Sequence, residues 1–197
     1  AALAKRKGEV SDADVSKLYD AAKKEGKVVW WTGHYTQAAA EKVIVAFKQK
    51  YPGIDVELLR QTGQVLFQRL TQDMKSNVHQ VDVFGATDEA HMTILKKQNA
   101  LAQFVPADLD KVPKDFQHLD HDDTYQIGDI ALMLINYNPK KLPAPRHWRD
   151  LLDPRMKDLI SMGHPGFSGY VGNWVVAMTD KYGWDNYFKA LAKNNPK

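Results

Sequence analysis

The chain has 197 residues, of which 44% are hydrophobic and five are tryptophan, so it can bury a core and is not intrinsically disordered. Its 27 basic and 24 acidic residues leave a net charge of +3, which is too even a balance to predict a nucleic-acid partner. Cysteine is absent, which excludes disulfides, thiolate metal sites and a cysteine nucleophile, and no apolar run is long enough to cross a bilayer.

The first residues, Ala1-Ala2-Leu3-Ala4, include no initiator methionine and no apolar signal segment. Such a start predicts an exported protein whose signal peptide has been removed, although a trimmed chain would begin in the same way. Together with the lack of cysteine, it favours a bacterial periplasmic location.

The N-terminal third predicts a regular order of elements. Residues 11–25 have helical spacing of apolar side chains, with Ser11 as N-cap and Gly26 as the stop. Residues 27–31, which are apolar from Val28 to Trp31, predict a buried parallel strand, and residues 38–50 predict the next helix.

The same order then repeats. Residues 54–59 predict a second strand followed by a helix, and residues 81–84 predict a third strand before a helix at 89–98. Successive strand-loop-helix units with short connections predict a parallel sheet with right-handed crossovers. All three loops should therefore open at one edge of the sheet.

The rest of the chain is less regular. Residues 102–124 are rich in Asp and His and predict an irregular surface segment, whereas 130–137 is the most apolar run and predicts a long buried strand. The remaining patterns predict a short helix, a strand and two helices, at residues 147–152, 159–162, 171–181 and 184–193.

Polar residues follow the predicted strands at the points where helices begin. In open α/β sheets, ligands bind outside the carboxyl ends of the strands, where helix N-termini present unpaired N–H groups. Thr, Asp and Ser are also ordinary helix N-caps, so each position alone has a structural explanation as well. The candidate ligand-binding residues are Thr32, Gly33, His34, Tyr35, Thr62, Gly63, Thr87, Asp88, Ser168, Gly169 and Tyr170.

Other features carry weaker signals. The cluster from His118 to Asp123 has metal-binding residue types, but an acidic loop of this kind is more often a solvated surface. The chain has no Gly-x-Ser-x-Gly, no Walker loop and no Gly-x-Gly-x-x-Gly, so the sequence favours a binding protein over an enzyme.

Several segments together resemble a known family. Glu25 to Trp30, Phe47 to Ile54 and Val81 to Phe84 have the family's spacing, and Asn136-Tyr137-Asn138 resembles its passage into a second lobe. Pro165 to Gly169 resembles its Pro-x-x-Ser-Gly anion loop. In this order the segments resemble the solute-binding proteins of ATP-binding-cassette importers, type II fold, in the branch that contains ferric-iron binders.

The resemblance implies a two-lobed α/β protein that closes about a hinge on its ligand. Residues 1–130 would form a parallel-sheet lobe, 131–138 a hinge-crossing strand, and 139–197 part of a second lobe. Members of the family are usually longer, so we expect a fragment or shortened product. Its exposed apolar surface would favour dimerisation.

The resemblance also implies a ligand class. In the ferric branch a His-Tyr pair such as His34-Tyr35 contributes metal ligands, with further tyrosines from an adjacent Tyr-Tyr pair that this chain lacks. A small anionic solute is therefore as consistent with the sequence as ferric iron bound with an anion, and Asp88 would also suit a cationic solute. No resident cofactor is expected.

The sequence thus predicts a periplasmic receptor that binds a solute and delivers it to an inner-membrane permease without chemistry. An enzyme on the same fold and a truncated interaction module that has lost transport are the alternatives.

Overall fold

The computed structural model describes residues 10–197, which form two compact units that meet in sequence between Ile130 and Ala131. The expectations for Ala1 to Ala4 lie outside the described residues. Within the described part of the chain, no helix is both long and apolar enough to cross a membrane.

The first unit alternates helices and strands, as the sequence predicts. Its elements are α1 (Asp12–Glu25), β1 (Lys27–Thr32), α2 (Gln37–Lys50), β2 (Asp55–Arg60), α3 (Gly63–Lys75), β3 (Val83–Gly85) and α4 (Glu89–Lys97). The three strands form one sheet in the order β2-β1-β3, and both pairings are parallel. The predicted α/β class and parallel sheet are therefore confirmed.

Local chemistry sets the ends of α1. The Ser11 hydroxyl accepts a hydrogen bond from the Asp14 amide, and the Asp14 carboxylate accepts one from the Ser11 amide, which together form a capping box. Gly26 ends the helix in the left-handed region, with φ of 75°, where a side chain would be strained. This stop places β1 directly after the helix.

The sheet packs on a small apolar core in which β1 is central. Trp30 pairs with Leu58 on one side and with Val83 on the other. Val29 and Trp31 are buried, and α3 contributes Leu66 to the same cluster. All positions of β1 after Lys27 are buried or partly buried, as expected of a parallel strand that is covered on both faces.

The segment 102–124 is an irregular surface segment, as predicted, but two of its carboxylates, Asp120 and Asp123, are buried. Its only regular pieces among the described residues are two short 3₁₀ turns, Leu109–Lys111 and Lys114–Phe116. Asp120 is only 6% exposed, because its carboxylate accepts hydrogen bonds from the ammonium group of Lys96 on α4 and from the Thr124 amide and hydroxyl. These bonds hold the pKa of Asp120 at about 2, below its usual value, although burial alone would raise it.

The second unit consists of two 3₁₀ helices, Trp148–Leu152 and Pro154–Met156, followed by α5 (Gly169–Tyr182) and α6 (Trp184–Ala192). Trp174 and Met178 of α5 pack against Tyr187 and Leu191 of α6, and all four side chains are buried. The Tyr187 hydroxyl donates a hydrogen bond to the Trp148 carbonyl, which joins the first 3₁₀ helix to this core.

The predicted long strand at 130–137 does not form, and the division into two lobes with a hinge crossing at 131–138 stays a prediction. These residues have no regular structure, and Leu132 and Leu134 are 77% and 66% exposed. A strand requires a neighbour for its N–H and C=O groups, and the described residues place none beside this segment. Dimerisation through its apolar surface stays a prediction.

The predicted strand at 159–162 is also absent, although its backbone is partly paired. The Met162 amide donates to the Lys197 carbonyl at 2.8 Å, and the Lys197 amide donates to the Ile160 carbonyl at 2.9 Å. This is the hydrogen-bond pattern of one parallel bridge, which is too short to define a strand.

Replacement of Lys96 by methionine should release the segment 118–124 from α4, because Asp120 and Asp122 both pair with the Lys96 ammonium group. We expect faster amide exchange at Thr124 and at Phe104, whose amide donates to the Asp123 carbonyl. Lys97→Met is the matched control on the exposed face of the same helix. Equal exchange rates in the two variants would contradict the role of Lys96 in holding the segment 118–124 against α4.

Candidate functional site

The loops that follow the three strands of the first unit meet through their backbones. The Gly33 amide donates to the Gly85 carbonyl at 2.9 Å, and the Gln61 amide donates to the Thr32 carbonyl at 3.4 Å. A Cβ atom on Gly33 would lie 2.8 Å from the backbone nitrogen of Gly63, so only glycine fits there. The loops that follow β1, β2 and β3 are therefore in direct backbone contact at the carboxyl edge of the sheet.

Three helices begin at this edge, each through a polar N-cap. Thr36 caps α2 by accepting a hydrogen bond from the Ala39 amide, and Asp88 caps α4 by accepting one from the Ala90 amide. Thr62 is the N-cap of α3, but its side chain makes no capping hydrogen bond. Helix N-termini carry partial positive charge and favour anions nearby.

His34 is packed into this edge. A Cβ atom on Gly85 would lie 2.6 Å from its Cε1 atom, so the imidazole ring rests directly on the backbone of β3. Its Nε2 atom lies 3.6 Å from Oδ1 of Asp129, and its buried Nδ1 atom has no hydrogen-bond partner among the described residues. Burial lowers the pKa of His34, while the charge of Asp129 opposes that shift. The ring is therefore neutral at pH 7.

Tyr35 lies beside the imidazole, with ring centroids 4.5 Å apart, and 5.5 Å from the ring of Trp30. Its hydroxyl donates a long hydrogen bond of 3.5 Å to the Gly128 carbonyl. Burial raises the pKa of Tyr35, and the nearby carboxylate of Asp129 raises it further. The side chain is therefore a neutral phenol that can donate a hydrogen bond.

Arg60 brings a cation to the same place. It is the last residue of β2, it is exposed, and its Nε atom donates to the Tyr35 carbonyl at 2.9 Å. Guanidinium groups bind carboxylates and phosphates through paired N–H donors. Arg60 therefore adds anion-binding capacity beside the helix N-termini.

A second histidine, His91, packs beside the N-terminus of α4. His91 stacks on Phe67 with ring centroids 4.2 Å apart and an interplanar angle of 10°, and its Nε2 atom lies 3.8 Å from Oδ2 of Asp88. Burial lowers the pKa of His91, with the charge of Asp88 opposing the shift. His91 is therefore a neutral packing residue that lies against the helix cap.

The structure thus brings most of the predicted binding residues together at one edge. Those that follow β1, β2 and β3 are Thr32, Gly33, His34, Tyr35, Thr62, Gly63, Thr87 and Asp88. Ser168, Gly169 and Tyr170 begin α5 in the second unit, where Ser168 makes no side-chain capping bond, and their part in binding stays a prediction. Asp129 and Arg60 were missed, because no sequence pattern connects either residue to His34.

The described side chains of the cluster from His118 to Asp123 are not arranged as a metal site. Among the described residues, no group of three or more His, Cys, Asp or Glu side chains could hold a metal ion. Nδ1 of His118 instead lies 2.6 Å from Oδ1 of Asp123, and Lys96 pairs with Asp120 and Asp122. These side chains stabilise their own loop.

Replacement of Gly85 by alanine should displace the His34 ring, because the new Cβ atom would approach Cε1 closely. We expect a loss of about 1–3 kcal/mol in the free energy of unfolding, typical of overpacking, measured by urea denaturation. Gly128→Ala is the control, since its Cβ atom would lie 3.8 Å from the Tyr35 hydroxyl, an ordinary contact. An undisturbed His34 ring in Gly85→Ala, seen by NMR, would contradict this packing.

The buried His91 should make stability fall in acid. Its pKa is lowered in the folded protein, so protons bind the unfolded chain first as the pH drops through about 6.5, and unfolding becomes more favourable. Stability is retained above that pH and lost below it. In His91→Gln the free energy of unfolding should fall less between about pH 8 and about pH 5. If His91→Gln kept the same pH dependence of stability, the lowered pKa of His91 would not be the cause of the loss in acid.

Comparison with solved structures places this fold among periplasmic binding proteins. The chain aligns with the periplasmic binding protein AfuA from Actinobacillus pleuropneumoniae, with exogenous fructose-6-phosphate bound, at 21% identity and a TM-score of 0.66, over 86% of this chain and 56% of that one. Iron-bound HitA from Pseudomonas aeruginosa aligns at 20% identity and a TM-score of 0.65, over 86% and 54% of the two chains.

The ferric binding protein from Campylobacter jejuni aligns at 16% identity and a TM-score of 0.60, over 86% of this chain and 55% of that one. The chain therefore spans about half the length of these structures. Such likeness confirms the expected type II periplasmic-binding-protein fold with an incomplete second lobe. No curated protein matches the sequence significantly.

The sequence profile of one family, described as bacterial extracellular solute-binding protein, matches residues 79–196. The match begins shortly before β3 and runs through α6, and it covers more than half of the chain. It begins after the His34-Tyr35 loop, so it identifies the family independently of that site. This chain belongs to the bacterial extracellular solute-binding proteins.

Proposed function

We propose that this protein is the periplasmic receptor of an ATP-binding-cassette importer, or part of one, and that its first unit binds the anionic group of a small solute. The binding surface is the edge where α2, α3 and α4 begin. A membrane permease would receive the solute, and the receptor would carry out no chemistry on it.

One observation carries this proposal: Arg60 lies at the same edge as three helix N-termini. The Nε atom of the guanidinium group donates a hydrogen bond to the Tyr35 carbonyl, and its terminal nitrogens make no ion pair within residues 10–197. The Thr62 hydroxyl at the start of α3 makes no capping bond, and Tyr35 carries a protonated phenol. Several donors and a fixed positive charge suit a phosphate or carboxylate group.

The relatives support this ligand class without establishing it. AfuA carries fructose-6-phosphate in its solved structure, and a sugar phosphate combines an anionic group with hydroxyls. We therefore take fructose 6-phosphate and inorganic phosphate as the first probes for this chain.

Ferric iron is a second candidate cargo, and one contact favours it. Asp129 places a carboxylate 3.6 Å from Nε2 of His34 and close enough to Tyr35 to raise its pKa. Imidazole, phenolate and carboxylate together are a donor set that binds ferric iron. HitA carries iron in its solved structure, which supports the comparison. Iron binding would require Tyr35 to lose its proton.

Titration calorimetry with fructose 6-phosphate and with phosphate tests the anion proposal. Arg60→Gln should weaken binding about tenfold, because a charged hydrogen bond of typical strength is lost. Lys42→Gln removes an equal charge from an exposed position on α2 and should bind normally. Equal affinity in Arg60→Gln and Lys42→Gln, or no binding of any anion by the unmodified protein, would refute the proposal.

Addition of ferric citrate tests the iron candidate. Iron binding would produce a visible tyrosinate-to-iron absorption band that is absent in Tyr35→Phe. A protein that stays colourless and metal-free while it binds a phosphate probe would exclude iron as the cargo.

A further inference from the structure

The candidate edge also carries a negative charge that an anion-binding surface does not need. The carboxylate side chain of Asp129 is 41% exposed, and the one basic side chain within ion-pair distance of it among residues 10–197 is the neutral His34 imidazole, at 3.6 Å. No lysine or arginine of the described chain neutralises it within ion-pair distance. Its negative charge would weaken the binding of a phosphate or carboxylate group at this edge, unless the solute also carries a positive charge beside Asp129.

Aromatic rings surround the same place. Tyr35 lies next to Asp129, and its ring contacts the rings of His34 and Trp30 at centroid distances of 4.5 and 5.5 Å. The ring planes are inclined by 46° and 68°, so Tyr35 makes one tilted and one edge-on contact with its aromatic neighbours. A carboxylate beside aromatic faces is a favourable setting for an ammonium group, which gains ion-pair and cation–π energy together.

Arg60 and the chain at Asp129 approach Tyr35 at different atoms. Arg60 bonds the backbone carbonyl of Tyr35 at 2.9 Å, whereas the Tyr35 hydroxyl is near the Gly128 carbonyl at 3.5 Å, next to Asp129 in sequence. Arg60 therefore contacts the backbone of Tyr35, whereas the Tyr35 hydroxyl contacts the residue before Asp129, and Arg60 and Asp129 form no ion pair with each other within residues 10–197.

From this arrangement we infer that the solute is a small zwitterion, with its anionic group toward Arg60 and the helix N-termini and its ammonium group between Asp129 and the ring of Tyr35. The inference rests on the proposed function, because it assigns the substrate class of the same edge. A solute with only one of the two charges would leave Asp129 or Arg60 without a counter-charge.

Matched pairs of probes test the substrate class. Phosphoethanolamine and ethyl phosphate share the anionic group and differ in the amine, and 4-aminobutyrate and butyrate form a second pair. In titration calorimetry, at least one zwitterion should bind about tenfold more tightly than its amine-free partner, the effect of 1.4 kcal/mol. In Asp129→Asn this preference should be lost, with the amine-free probe binding more tightly than before. Asp115→Asn removes an exposed carboxylate elsewhere and should keep the preference.

The outcomes separate this inference from the proposed function. Equal binding within each pair, with weaker binding of both members in Arg60→Gln, would overturn the zwitterion and leave the anion receptor in place. Binding of neither pair by a protein that binds fructose 6-phosphate or phosphate would overturn the zwitterion alone, and binding of none of these probes would overturn both. A preference for the amine that persists in Asp129→Asn would also refute the role given to Asp129. Circular dichroism of each variant shows that a loss of binding is not a loss of fold.

Discussion

The first unit depends on the position of β1 between β2 and β3. Both neighbours pair with it in parallel, so all three strands end at one edge and the three helices that follow begin there. The approach of Gly33 to Gly63 brings two of these loops into backbone contact, and the bond from Gly33 to Gly85 adds the third. A side chain at Gly33 would separate the loops and with them the helix N-termini.

In the proposed function, the backbone and the side chains of this edge contribute differently to binding. Backbone amides and helix dipoles at the edge favour any anionic group and are fixed by the fold itself. In the proposed function, specific recognition falls to Tyr35, Arg60 and Asp129, which are exposed or half-buried and make few bonds to the rest of the protein. The fold is shared with proteins whose solved structures carry iron or a sugar phosphate, so the fold itself does not fix the solute.

Much of the first unit could be predicted from sequence because its signals are local. The capping box at Ser11, the stop at Gly26 and the apolar run of β1 each lie within one element, and the observed bounds differ from the predicted ones by only a few residues. The binding edge could be predicted from the same patterns, since parallel strands with short loops must open on one side.

The failures have a non-local cause. The run at 130–137 has strand composition, but composition does not supply the neighbour that a strand needs, and the segment lies exposed. Asp129 is separated from His34 by most of the first unit, and the bond between Tyr35 and Gly128 spans 93 positions. Contacts of this range depend on the path of the whole chain, so a single sequence does not reveal them.

Backbone amide exchange, followed by mass spectrometry with and without saturating fructose 6-phosphate, tests most directly whether the sheet edge binds solute. Slower exchange should be confined to the loops after β1, β2 and β3, at residues 33–37, 61–64 and 85–89, because their amides would donate to the bound group. Protection limited to the second unit, for example along 133–138 and 158–163, would contradict a binding site at the edge of the first unit's sheet.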